Sequence, residues 1–126
     1  MSIIAIQEPI ERLEIDHQRM SDLIRGMPLP EVEDFFFDTV EDIAQAIGRI
    51  EQCLETDDFR SMYRVAGRVR EMASRAGFMK LSHVAADLQF AITTSNHIAL
   101  SAISQRLMRV GEQSLLAMWD SRIYSS

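Results

Sequence analysis

The sequence predicts an all-α fold built as one domain, on three observations. Breaks are few, since 126 residues hold three prolines and five glycines. The Asn-Gly and Asp-Gly pairs that close β-hairpins are absent. Apolar residues recur at three- and four-residue spacing through most of the chain, the period of helices with one buried face. Hydrophobic content of 47% with 25% charged is that of an ordinary soluble globular domain. At this length roughly two thirds of the unfolded surface can be buried, so neither disulfide nor metal is needed for stability. Long helices with short connections favour antiparallel neighbours, hence an up-and-down four-helix bundle over 29–119. An additional N-terminal helix and linker occupy 1–28, and 120–126 form a tail.

The first helix is expected from about Glu8 to Arg25, with Pro9 in its first turn and Ile10, Leu13, Met20 and Ile24 on one stripe. Gly26-Met27-Pro28-Leu29-Pro30 stops it. The second runs from about Pro30 to Glu55, its core face carrying Val32, Phe35, Phe36, Val40, Ile43, Ile47, Ile50 and Leu54. Thr56-Asp57-Asp58 breaks it and can cap the next helix. That third helix, about Asp58 to Ala76, separates cleanly into two faces. Met62, Val65, Ala66, Val69, Met72, Ala73 and Ala76 fall within an arc of about 120°. Arg60, Arg64, Gly67, Arg68, Glu71, Ser74 and Arg75 occupy the opposite arc. Gly77 supplies a C-terminal stop. A fourth helix, about Leu81 to Thr93, turns Leu81, Val84, Ala85, Leu88, Ala91 and Ile92 inward. Ser95-Asn96 offers a cap for the fifth, His97 to about Trp119, in which Ala99, Leu100, Ile103, Leu107, Val110 and Leu115 are apolar.

A net charge of −6 argues against a nucleic-acid backbone or an anionic membrane as the main partner. The charge is unevenly spread. Six of the thirteen basic residues, Arg60, Arg64, Arg68, Arg70, Arg75 and Lys80, lie between 60 and 80, where Glu71 is the one acid. Such an island steers an anionic protein surface. The lone Cys53 excludes an internal disulfide and suits a reducing compartment. No apolar run approaches the ~20 residues of a membrane span, and MSIIAIQEP lacks the basic start of a secretion signal. A cytoplasmic location is expected.

Two segments carry a resemblance. VEDFFFDTVEDIAQAIGRIEQCLETDDF is followed by AGRVREMASRAGFMKLSHVAADLQ, and from Val32 to about Ile92 the chain resembles a histidine-containing phosphotransfer (HPt) domain, the helical bundle that relays phosphate between receiver domains in bacterial phosphorelays. The family segment reads approximately A-H-x-L-K-G-x-x-x-x-L-G before a helix that begins near a leucine. Ala66 matches the alanine, Val69 the leucine, Arg70 the lysine, Gly77 the final glycine and Leu81 the leucine beyond it. Gly67, however, stands where the phosphorylated histidine would be, and Glu71 replaces the small glycine. Glycine offers no nucleophile. Arg70 keeps a charge that can bind but not transfer a phosphoryl group, and Glu71 sets a carboxylate against a phospho-ligand. The resemblance therefore implies a degenerate member of the family that does not relay phosphate.

No other histidine is a clear substitute. His17 falls on the apolar stripe of the first helix and reads as a partly buried, hydrogen-bonded residue. His97 stands at a helix start, where the dipole disfavours a cationic acceptor. His83 shares a second apolar stripe with Met79, Ala86 and Phe90, opposite the core-facing one. The three histidines form no i, i+4 pair, so no metal is expected. Nucleotide loops, nucleophile elbows and zinc-protease helices are missing, the clusters Glu11/Glu14/Asp16 and Glu31/Glu33/Asp34 read as wet helix faces, and Cys53 reads as a core residue. The expectation is a protein without catalytic residues or cofactor. Its partner would be a receiver domain or histidine kinase, docked on an open, cation-fringed platform of Arg60, Arg64, Gly67, Arg68, Arg70, Glu71, Arg75 and Lys80. The alternative is a self-associating module whose Met79, His83, Ala86 and Phe90 stripe forms a homodimer.

Overall fold

The computed structural model describes residues 12–120. They contain five helices: α1 (His17–Ile24), α2 (Leu29–Glu55), α3 (Phe59–Ala76), α4 (Met79–Thr93) and α5 (His97–Trp119). Among the described residues there is no strand, only one isolated bridge between Ile15 and Phe78. Each long helix packs on the next in the chain, and α2 meets α5, so the four close into a circuit with α1 laid against α3. Links of two or three residues between packed helices require the chain to reverse at each one.

The long helices begin and end where local chemistry dictates. Asp58 caps α3 by accepting the Ser61 amide at 3.2 Å, and Asn96 caps α5 by accepting the Ala99 amide at 3.0 Å. α3 ends on Gly77 at φ +88°, after which the Phe78 amide reaches back to the Ala73 carbonyl at 2.8 Å. The turn is so tight that α4 starts at Met79, two residues before its expected start at Leu81. Met62, Val65, Ala66, Val69, Ala73 and Ala76 of α3 are all buried, with Met72 half-buried beside them. They face Phe36, Ile43 and Ile50 of α2, Leu81, Val84 and Leu88 of α4, and Leu107, Val110 and Met118 of α5 in one core. Cys53 is buried there too.

The N-terminal expectation needs correction. Residues 12–16 are not helical. They form a non-helical strap along the α3–α4 turn, with Asp16 N–H donating to the Gly77 carbonyl at 2.7 Å. α4 has no side-chain cap at Phe78, and the strap supplies one: Met79 N–H reaches the Glu14 carbonyl at 3.3 Å and Lys80 N–H the Leu13 carbonyl at 2.9 Å. Those carbonyls would have been consumed inside a helix; used here, they satisfy amides that α4 leaves open. Asp16 then caps a short α1 through the Arg19 amide at 3.0 Å. Met20 alone of α1 is fully buried, and His17, expected to be partly buried, is exposed. Glu8 to Ile10 and Glu11 lie outside the described residues.

α5 contributes three small residues that periodicity overlooked, Ser104, Gly111 and Ser114, all buried. A side chain at Gly111 would strike Ile47 of α2, so the glycine sets how closely the two helices approach. No helix among the described residues is long and apolar enough to cross a membrane.

Candidate functional site

Gly67 sits mid-helix on the side of α3 that turns toward α4. Two polar residues of α4, one above the other at i and i+7, tie the helices together there. The Ser82 hydroxyl donates to the Arg70 carbonyl at 3.0 Å, and the Gln89 amide donates to the Tyr63 carbonyl at 3.1 Å. To make that bond, the Gln89 amide lies directly over Gly67, where a Cβ would come within 2.9 Å of Nε2. Arg70 Nη1 holds the other end of the same amide at 3.4 Å. Gly67 is therefore half-buried, in the floor of a groove of about 610 Å³ between α3 and α4. The surface is a notch covered by a movable side chain rather than a bare platform.

Of the residues singled out in the sequence, Gly67, Arg70, Glu71, Met79, His83 and Ala86 all line this one groove. Arg60, Arg64 and Arg68 are exposed on the outer face of α3. Among the described residues none of these three, nor Arg70 or Arg75, is in an ion pair. Arg75 points away from the groove, toward Phe35, Asp38 and Asp42 of α2. Lys80 is engaged: its ammonium lies 3.4 Å from Glu14 of the strap, which also faces His83 Nδ1 at 3.7 Å. Phe90 lies outside the groove lining, 70% exposed. His97 is exposed beside the Phe59 ring, the two centroids 5.5 Å apart.

Four groove residues, Arg19, Tyr63, Ser82 and Gln89, escaped the sequence reading. Arg19 reaches over from α1, its guanidinium donating to the Ser74 hydroxyl at 2.6 Å and the Ser74 carbonyl at 3.2 Å; nothing in the spacing of residues 17–24 could show that α1 docks on this end of α3. Tyr63 is an exposed aromatic one turn before Gly67. Gln89 had a signal, the polar i, i+7 pair with Ser82 flanking the core face of α4, which marks a side turned to a neighbouring helix.

The arrangement holds cationic and hydrogen-bonding groups around a cleft, with the Ser74 hydroxyl held by Arg19 and the Ser82 hydroxyl by the Arg70 carbonyl. His83 is on the opposite wall from Gly67, exposed and turned to Glu14. No group of three or more His, Cys, Asp or Glu among the described residues could hold a metal ion. Comparison of the chain with family models, with curated proteins and with solved structures finds no match in any of the three.

Proposed function

We propose that this protein is a non-catalytic, HPt-like adaptor or inhibitor that docks a receiver domain or histidine kinase on its α3–α4 face, its long helices forming an up-and-down bundle of HPt type. One observation carries the reading. The position that the resemblance assigns to the phospho-accepting histidine is a glycine in a groove between two helices that Arg19 and Arg70 line, with Arg64 and Arg68 exposed on the outer face of the same helix and, like Arg70, in no ion pair among the described residues. A receiver surface is acidic around its phosphorylatable aspartate, so complementary charge brings the two together and mainly sets the on-rate. Without an imidazole nothing accepts the phosphoryl group, and the partner is held without being discharged.

The test is capture of a receiver or kinase by the full chain, then calorimetry and a phosphotransfer assay with whatever is recovered. Arg64→Glu with Arg68→Glu should weaken binding at least tenfold, about 1.4 kcal/mol, with the helical circular-dichroism signal intact because both side chains are exposed. Unchanged affinity would remove this face from the reading, and acid-labile phosphate on His83 or His17 would overturn its non-catalytic part.

A second reading, self-association, is favoured by Phe90 alone, whose ring stands 70% exposed on α4. Sedimentation at micromolar concentration discriminates: a dimer lost on Phe90→Asp supports it, and a monomer in both proteins leaves the adaptor reading ahead.

A further inference from the structure

The opposite side of the molecule carries an apolar groove in an acidic frame. Val40, Ala44, Ile47 and Gly48 of α2 and Met108, Leu115, Leu116 and Trp119 of α5 line a shallow channel of about 420 Å³. It continues past Trp119 into a second hollow reaching Phe37 and Met118. The small residues Ala44 and Gly48 keep its α2 wall low. Leu116 and Trp119 project from it, 64% and 58% exposed, and Phe37 meets the Trp119 indole edge to face at 5.7 Å. From Phe37 to Glu51 the channel runs about 20 Å along α2, the length of roughly four helical turns. Carboxylates stand at both ends and on both walls: Glu33 and Asp34 at one end, Glu51 and Glu112 at the other. Arg49 and Arg109, the nearest cations on these helices, do not line it.

We infer that this α2–α5 groove binds a cationic amphipathic helix of a partner protein, about four turns long. Its apolar stripe would lie over Val40, Ala44, Leu116 and Trp119, and Lys or Arg residues on its flanks would meet the four carboxylates. Helix-in-groove recognition needs both parts, anchors at i, i+3, i+4 and i+7 and a frame of opposite charge. Met108 in the floor adapts to the shape of the anchors. A second copy is a poor occupant, because two-fold pairing of this face sets four carboxylates against four more. The α3 face of another copy brings charge but no apolar stripe. The inference does not depend on the α3–α4 reading, since the groove lies on other helices.

Trp119 is the one tryptophan in the chain, so its emission reports on this groove. The probe is a 14-residue peptide of leucine and lysine with leucines at i, i+3, i+4 and i+7, titrated into the full chain. Saturable binding with a blue shift of Trp119 is expected, weakened at least tenfold by Leu116→Asp and also by Glu51→Lys with Glu112→Lys. The glutamate-for-lysine peptide and a scrambled peptide should not bind. Arg64→Glu with Arg68→Glu should leave the titration unchanged, which separates failure here from failure of the α3–α4 reading. Binding without a Trp119 shift, insensitivity to both groove variants, equal binding of the scrambled peptide, or a dimer that Leu116→Asp dissolves would each overturn the inference.

Discussion

Asp58 shows how one side chain ties helix geometry to pH. Hydrogen bonding from Ser61, its hydroxyl foremost and its amide next, holds the Asp58 carboxyl below its ordinary value, with Arg64 and Arg49 adding smaller attraction. A carboxylate depressed in the folded state contributes stability above its unfolded value, and that contribution disappears as pH falls through the folded one. An asparagine in its place would keep the cap without titrating. Urea unfolding of the parent and of Asp58→Asn should therefore differ by a constant amount near neutrality, with the parent losing ground only at and below the ordinary carboxylate value of 3.8. Parallel profiles down to acid would refute the assignment. The glycines divide just as sharply. At Gly67 an added methyl meets only the movable end of Gln89. The helix-propensity gain of about 0.5–1 kcal/mol then offsets the loss of an accessible hydrogen bond of similar size. Gly67→Ala should leave stability within about 0.5 kcal/mol of the parent. At Gly77, with φ +88°, the methyl would meet the Asp16 carbonyl oxygen at 2.6 Å, and Gly77→Ala should cost more than about 1 kcal/mol. Equal urea midpoints for the two variants would contradict this.

At the scale of elements, α1 and the strap are the part whose stability is borrowed. Eight residues do not hold a helix by themselves in water, so α1 depends on the strap's hydrogen bonds and on Met20, which is 2% exposed in the core. Met20→Ala should cost about 2–5 kcal/mol, read as a lower urea midpoint with an unchanged slope. A loss below about 1 kcal/mol would mean that α1 does not pack as described. The long helices were legible to within two residues of their ends, because each carries a wide apolar stripe and the breaks Thr56-Asp57-Asp58, Gly77 and Ser95-Asn96 separate one from the next. The first was not: Leu13, Met20 and Ile24 keep helical spacing, yet Leu13 packs from a non-helical segment. Spacing alone does not reveal that a neighbouring helix lacks a cap and takes the strap's carbonyls.

Across the whole molecule, charge is sorted by helix. α2 holds eight carboxylates against Arg49, while α3 beside it holds five arginines against Glu71. Adjacent helices of opposite sign give the domain a transverse dipole, which orients a charged partner before contact. Such steering is screened over about 10 Å at 0.1 M salt. Binding of an acidic partner to the α3–α4 face should accordingly fall as salt rises from about 0.05 to 0.3 M, and Arg64→Glu with Arg68→Glu should flatten that dependence. A salt-independent affinity would mean that the arginines do not face the partner.

From the chain alone came the helical class, the four long helices, the buried face of α3 and the cationic island around Gly67, since period, caps and charge are local properties written in neighbouring residues. Tertiary structure decided what lies across from them. It set Gln89 over Gly67, bound Lys80 to Glu14, brought Arg19 to Ser74 and joined the low wall of α2 to Leu116 and Trp119 of α5. Each of these pairs residues from different elements, and their meeting depends on how the helices rotate and approach, which is settled by the packing of the whole core.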